Sequence, residues 1–563
     1  MDFKLKIAEK ISALVDMEID KVIELMEVPP HSNMGDYAFP CFQLAKVMRK
    51  APNMIAAELA PKVETDNIVE KAEAAGGYLN FFLNKKEYVG SIISKVLEQG
   101  GQYGSDVIGQ GKAITIDFSS PNVAKPFHIG HMSSTIIGGS LEKIFAYLGY
   151  KVERINHLGD YGTQFGKLIS AYKRWVDQEA LEKQPISELL RIYVKFHEEA
   201  EQHPELEDEA RAYFKLLEEG DKEAHALWEK FRALSIKEFE QTYKKLHIEF
   251  DSYAGESFYT DKMGEVIEIL EQKNLLVESS GAKIVDLSQF NLPPCLVIKS
   301  DGTTIYVTRD LAAALYRKRT YDFYKNVYVV GTTQSLHFAQ LFRVLELMGF
   351  EWAKDCIHIG FGLVKFPDRK LSTRKGDVVL LEEVLEEAVQ RTLNLIEQKN
   401  PDLANKEEVA KKVGIGAVVY TFLKNNRDRD IVFSWEDTIN FDGDSGPYVQ
   451  YTYVRGRSIL RRAGQLPESA DYSVLTSDDE FNLIKLIGGF GAAVKEAAER
   501  YEPFVVTRHI TEIAKAYNKF YINHPILNAD EKIKNARLHL TQAVCTVIQT
   551  GLRLICIETP ENM

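Results

Sequence analysis

Residues 117–139 read DFSSPNVAKPFHIGHMSSTIIGG, and the order of residue types in this stretch decides the fold. Ahead of it, Ala113-Ile114-Thr115-Ile116-Asp117-Phe118 is a short β-rich run. Behind it, Ile137, Leu141, Ile144, Phe145 and Leu148 recur at helical spacing. Strand, loop, helix is half of a βαβ unit. Ligands of such sheets bind beyond the carboxyl ends of the strands, which places Ser119 to His131 at a site.

Within the loop, Pro121 and Pro126 restrict the backbone, and His128-Ile129-Gly130-His131 sets two imidazoles three residues apart around a glycine. At a helix start both rings can face one ligand. The helix N-terminus adds unpaired N–H groups and positive partial charge, so the fitting guest is a phosphate. Gly130 lets a base or ribose approach the backbone closely.

This constellation resembles the signature of class I aminoacyl-tRNA synthetases. The surrounding Ser119-Ser120-Pro121-Asn122-Val123-Ala124-Lys125-Pro126-Phe127 and the later block from Asn156 to Gly166, NHLGDYGTQFG, narrow the resemblance to the arginyl-tRNA synthetase family. The resemblance implies ligase chemistry: arginine and magnesium-bound ATP give an adenylate, and the arginyl group passes to the 3′ end of arginine tRNA. It also implies tRNA-dependent activation and transfer to the 2′-hydroxyl. The alternatives are a catalytically silent tRNA-binding paralogue and another class I synthetase such as the cysteinyl enzyme, whose cysteine and histidine zinc ligands are not evident.

The totals agree with a soluble multidomain enzyme. A chain of 563 residues suffices for three or four domains. Its 45% hydrophobic and 27% charged content is ordinary globular usage, which argues against collagen-like, disordered and membrane classes. No apolar run reaches the roughly 18 residues of a membrane helix, and the start carries neither a signal nor an obvious transit peptide. Cys41, Cys295, Cys356, Cys545 and Cys556 are scattered without CxxC spacing, so reduced thiols, a cytoplasmic location and no protein-bound metal are expected. A net charge of −13 argues against a nonspecific nucleic-acid coat, and a tRNA partner then requires local basic patches. A monomer is expected.

Three domains follow from the pattern. Residues 1–108 read as an α+β N-terminal domain, with Ile7, Ile11, Leu14 and Val15 at helical spacing and Gly77-Tyr78-Leu79-Asn80-Phe81-Phe82 as a strand after a glycine turn. Gly100 to Gly104 reads as a linker. Residues 109–385 read as a Rossmann-like parallel-sheet catalytic domain with a charged helical insertion at about 170–250, broken near His203-Pro204. Strand-like runs resume at Ala282–Leu287, Cys295–Ile298, Thr304–Val307, Val327–Val330 and Cys356–Ile359, so the insertion splits the sheet. Residues 386–563 read as an all-α bundle, with Ile510, Ile513, Ala514, Tyr517 and Tyr521 as one apolar stripe.

A second phosphate loop is expected at Arg369-Lys370-Leu371-Ser372-Thr373-Arg374-Lys375-Gly376-Asp377, where four cations and two hydroxyls flank a glycine. Such cations can follow charge onto departing pyrophosphate. The run is similar to the second class I signature, with Leu371 for the usual Met and Thr373-Arg374 for Lys-Ser. Lys370 and Ser372 join His128 and His131 as expected catalytic residues. His128, Gly130, His131, Lys370 and either Arg374 or Lys375 are the expected ATP contacts. Ser133 stands where the family commonly has Arg.

A guanidinium calls for planar acceptors and an aromatic face. Tyr306-Val307-Thr308-Arg309-Asp310 resembles the family's arginine-binding strand-to-helix turn, with Tyr306 packing on the side chain and Asp310 pairing with it. Glu256 is a second acid, and Asp117, Ser119, Asn122 and Gln334 match positions that hold the substrate. Without the resemblance, Tyr306 fits a core position, Asp310 a helix cap and Gln334 a turn. For tRNA, the resemblance implies Asn33, Tyr37 and Asn80 in the N-terminal domain, and Tyr448, Tyr451, Arg455 and Met563 in the bundle, where aromatics and arginines interleave. Asn562 replaces the family's common terminal Arg.

Overall fold

The computed structural model describes residues 3–29, 32–302, 305–366 and 379–563. They fall into two compact units, one of Met1–Tyr103, Arg455–Gly489 and Glu512–Val547, the other of Gly104–Val454, Phe490–Thr511 and Ile548–Met563.

The first unit holds an antiparallel sheet in the order Tyr37–Pro40, Tyr78–Leu83, Val69–Ala75, with the helix Phe3–Val15 burying Phe3, Ile7, Ala8 and Ile11. Asp36 organises it: the buried carboxylate accepts from the Leu83 N–H and from Lys485 Nζ, both at 2.9 Å. Lys485 belongs to the helix Asp478–Gly488, which Ser477 and Glu480 begin with a reciprocal capping box.

The second unit is built on a four-stranded parallel sheet in the order Cys356–Ile359, Lys325–Val329, Ala113–Asp117, Lys151–Ile155. From the central strand Ala113–Asp117 the chain goes first to Lys151–Ile155 on one side and later to Lys325–Val329 on the other. The strand order therefore reverses at the carboxyl end of Asp117, which opens a crevice there. The helix Gly130–Tyr147 makes the first crossover. It packs closely because Gly138 has no side chain: a Cβ there would run into the Phe118 ring. The insertion is helical as expected, with a break at His203-Pro204 between Pro185–Gln202 and Glu205–Glu218.

Three readings need correction. Ala282–Val285 and Cys295–Ile298 do not continue the parallel sheet; with Leu276–Ser279 they form a separate antiparallel one. The cause is local, since Ser280 and Gly281 both have positive φ, the backbone of a two-residue hairpin turn. Tyr306 and Val307 are not strand: they open the helix Tyr306–Tyr321, while Thr304 lies outside the described residues. In the apolar stripe, Ile510, Ile513, Ala514 and Tyr517 are fully buried but Tyr521 is exposed.

Beyond Leu381 the chain is helical apart from Ile431–Val432, which pairs in parallel with Val364–Lys365. The five cysteines are buried, and none is joined in a disulfide. Among the described residues no helix is long and apolar enough to cross a membrane.

Candidate active site

The loop after Asp117 is held in a costly conformation. Ser119, Ser120 and Ala124 have φ of 71°, 47° and 60°, a left-handed region that side chains disfavour. Neighbours hold each in place. The Ser119 N–H donates to Ser134 Oγ at 2.8 Å, its hydroxyl meets Tyr243 at 2.8 Å and Thr135 at 2.9 Å, and Ser120 Oγ donates to Asp117 Oδ1 at 2.9 Å. The Ala124 N–H donates to Ser235 Oγ at 2.9 Å. Ser235 and Tyr243 lie on the insertion's last helix, Lys222–Lys245. The insertion thus braces the loop, a role its charged sequence did not announce.

His128 and His131 come together at the start of the helix Gly130–Tyr147, with ring centroids 3.7 Å apart. The N-cap residue, Ile129, offers no side-chain cap. The Gly130 N–H donates to His128 Nδ1 at 3.1 Å, and the His128 N–H donates to His131 Nδ1 at 3.2 Å. A ring nitrogen that accepts is unprotonated, so each neutral imidazole carries its proton on Nε2. Burial lowers both pKa values, that of His131 to about 3 with help from the His128 charge. At neutral pH the site therefore offers two Nε2–H donors at the positive end of a helix, a set suited to phosphate oxygens. Gly130 is tight against this arrangement: a Cβ would lie 2.9 Å from the His128 ring.

Lys370, Ser372, Arg374 and Lys375 lie outside the described residues. The chain just before them, Val364–Lys365, is fixed by its pairing to Ile431–Val432. Just after them it lies on the histidine motif itself, the Ile129 N–H donating to Val379 O and the Leu381 N–H to Phe127 O, both at 2.9 Å.

The acidic candidates converge from separate segments. Glu256 opens a 3₁₀ turn beside Leu158 and pairs with Arg309, whose Nη2 is 3.2 Å from Glu256 Oε2. Burial pushes the Glu256 carboxyl up to about 7; Arg309 opposes this, and the charges of Asp310 and Asp160 add to it. Asp310 lies inside a helix rather than capping one, and its Oδ2 accepts from His337 Nε2 at 2.7 Å. Tyr306 is not core: it is 56% exposed, with its ring 5.0 Å from that of His337. A cleft of about 500 Å³ is lined by Tyr306, Arg309, His337, Gln340 and Lys299 among others.

Asp117 is already engaged. Its Oδ2 accepts from Arg317 Nη2 at 2.7 Å, and Arg317 is only 1% exposed. Burial works against that guanidinium's charge, but Asp117 holds its pKa above the ordinary value. His157 joins them, with Nδ1 3.4 Å from Arg317 Nη2 and Nε2 3.9 Å from Asp310 Oδ1. Arg317, His157, Arg309 and His337 are members of this cluster that sequence reading missed. His157 stood in the quoted Asn156–Gly166 block and His337 three residues after Gln334, which was the available signal.

The other candidates have these local settings. Asn122 is exposed and bridges to Gly159, and Gln334 is exposed in the turn Thr332–Gln334. Asn33 is exposed; Tyr37 and Asn80 lie on neighbouring strands, paired with Phe81 and Ala38 respectively, and Asn80 is buried. Tyr448, Tyr451 and Arg455 share the helix Gly446–Ala463. Tyr451 is exposed, and Arg455 donates to Asn518 and stands 5.0 Å over the Tyr521 ring. Met563 packs against the cluster of Ile396, Val409, Ala410 and Val413.

The catalytic-domain family described as "tRNA synthetases class I (R), catalytic domain" matches residues 92–435. The chain belongs to the arginyl-tRNA synthetases. Residues 1–83 match the arginyl-tRNA synthetase N-terminal domain family, and residues 449–563 match the DALR anticodon binding domain family. The chain is similar to arginine–tRNA ligases of Clostridium beijerinckii, 58% identical over 564 residues, and Clostridium perfringens, 59% identical over 566, each match covering 100% of both chains. In structure it resembles the Thermus thermophilus arginyl-tRNA synthetase, with a TM-score of 0.84, 26% identity and 100% of both chains covered. The enzyme from Plasmodium falciparum shares the fold, with a TM-score of 0.82 at 22% identity and 99% coverage of each. As an arginyl-tRNA synthetase the protein is a ligase that forms aminoacyl-tRNA, with arginine, ATP and tRNA as substrates. The silent paralogue finds no support in these full-length matches to named ligases.

Proposed function

We propose that arginyl-adenylate forms beyond the carboxyl end of Ala113–Asp117 and that the residues divide the work as follows. The arginine carboxylate attacks the α-phosphate of magnesium-bound ATP. His128 and His131 donate Nε2–H bonds to that phosphate, and the helix start adds its positive end. Lys370, with Ser372 and Arg374 or Lys375, takes up charge as pyrophosphate leaves. The observation that carries this reading is the pair of backbone bonds that fixes both Nδ1 atoms as acceptors and leaves two Nε2–H donors.

Arginine lies with its guanidinium toward Glu256 and Asp310 and against Tyr306, while Ser119, Asn122 and Gln334 serve its amino-acid end. Asp117 acts there through its pairing with Arg317 and its bond from Ser120. A site that bonds a polar side chain on several edges rejects analogues lacking those groups by roughly 10⁴ to 10⁵, so no editing domain is needed. The terminal adenosine of tRNA then accepts the arginyl group at its 2′-hydroxyl.

The three parts, 1–108, 109–385 and 386–563, contact the tRNA corner, carry the chemistry and bind the anticodon loop. Asn33, Tyr37 and Asn80 serve the first contact, and Tyr448, Tyr451, Arg455 and Met563 the last. The enzyme works as a cytoplasmic monomer and needs tRNA for activation. The test is pyrophosphate exchange and tRNA binding in His128→Ala and Lys370→Ala: both variants lose exchange and keep tRNA affinity. Full exchange in either removes that residue from the mechanism.

A further inference from the structure

Both pocket carboxylates already hold a resident donor. Tyr306, Arg309 and Asp310 follow one another at i, i+3 and i+4, which puts them on one face of the helix Tyr306–Tyr321. From that face Arg309 reaches Glu256, Nη2 to Oε2 at 3.2 Å. His337, from the helix Ser335–Leu347, reaches Asp310, Nε2 to Oδ2 at 2.7 Å. Each donor has its own support. The Arg309 guanidinium stands 5.2 Å over the Tyr161 ring, and Tyr161 is tied by its hydroxyl to Glu218 at 2.6 Å. The His337 ring lies beside those of Tyr306 and Phe338, at 5.0 and 5.2 Å.

A carboxylate on a flexible stem can turn either oxygen to a cation, so a planar guanidinium gains specificity only where the acceptors are fixed beforehand. We propose that Arg309 and His337 are positioning residues for arginine recognition, each pinning one oxygen of a pocket carboxylate, Glu256 Oε2 and Asp310 Oδ2, and so fixing the orientation in which that carboxylate meets the substrate guanidinium. The proposal rests on the reading of Glu256 and Asp310 as arginine-binding residues. It adds a charge argument: Arg309 answers only one of the two carboxylates, so the pocket keeps a negative surplus that a bound guanidinium removes. Lysine, with a single compact ammonium, cannot meet two pinned carboxylates on separate edges.

Double-mutant cycles in steady-state aminoacylation test this, with KM for arginine as the readout and KM for ATP and tRNA affinity as controls. His337→Ala and Arg309→Met each raise KM for arginine about tenfold or more, the loss expected for a hydrogen bond to a charged group. KM for ATP stays put. In an Asp310→Asn background the His337→Ala step adds less than about twofold, and Arg309→Met does likewise in Glu256→Gln, because a residue acting through another has nothing left to position. His337→Gln, which keeps an amide donor near the Nε2 position, stays within a few-fold of the parent. A tenfold effect that persists in the Asp310→Asn or Glu256→Gln background overturns the proposal and leaves the pocket reading standing. Unchanged KM in Asp310→Asn and Glu256→Gln themselves overturns the pocket reading and the proposal with it. Should an alanine or methionine variant lose tRNA affinity through misfolding, His337→Asn and Arg309→Lys carry the same cycles.

Discussion

The His128 backbone N–H donates to Nδ1 of His131 at 3.2 Å, and this one bond settles which ring nitrogen of His131 carries the proton. The proposed phosphate contact needs Nε2–H. His131→Gln, whose amide donor falls near Nε2, therefore retains more activity than His131→Asn or His131→Ala. Loss of one such donor lowers kcat for pyrophosphate exchange by about 10² to 10³. Equal activity in the Gln, Asn and Ala variants contradicts the assignment.

The proposed place of Glu256 in the arginine pocket predicts a pH dependence of arginine binding. Burial raises its carboxyl pKa to about 7, against Arg309. A raised acid pKa means that protons bind as pH falls toward 7 and below, which removes the charge a guanidinium needs. KM for arginine then rises by roughly an order of magnitude between pH 7.5 and pH 6, while KM for ATP does not follow it. In Glu256→Gln, KM for arginine is high and flat over that range. A pH-dependent KM in that variant assigns the titration to another group.

The Asp117–Arg317 pair predicts a stability role for Asp117 beside its proposed place in the site. Its partner Arg317 is buried, and removing one member of a buried pair strands the other, at a cost of about 3–5 kcal/mol. Urea unfolding of Asp117→Ala measures this. The exposed pair Arg343–Glu346 supplies the contrast, since Arg343→Ala moves stability by about 0–1 kcal/mol. Similar costs for the two variants contradict the account.

Ser235 tests the bracing of the loop by the insertion. Ser235→Ala strands the Ala124 N–H in a buried setting, which costs about 1–3 kcal/mol, and frees a backbone held at positive φ. Thermal unfolding reads the first effect. A fall in kcat/KM for arginine without loss of tRNA affinity reads the second. Unaltered kcat/KM confines Ser235 to a structural role.

The central strand, its loop and the helix of the histidine motif were legible because their signals are local: a β-rich run, two prolines, then apolar residues at helical spacing. Asp310, Glu256 and Tyr306 needed the family resemblance. Ile305-Tyr306-Val307 is β-branched and aromatic, so composition alone reads it as strand, but the helix that follows takes in Tyr306 and Val307. Arg317 was out of reach for a different reason. It stands 200 residues from Asp117, amid a run of basic residues that reads as a solvated helix face, and only the crossing of the helix over the sheet buries it. The antiparallel hairpin turns on Ser280-Gly281, whose positive φ values make the flanking strands pair with each other, a backbone property that strand composition alone does not show.

The most direct measurement is ATP–pyrophosphate exchange with each of the twenty amino acids in turn, with and without tRNA. The account predicts exchange with arginine alone and only when tRNA is present. Exchange with any other amino acid contradicts the pocket of Glu256 and Asp310, and no exchange under any condition contradicts the enzyme itself.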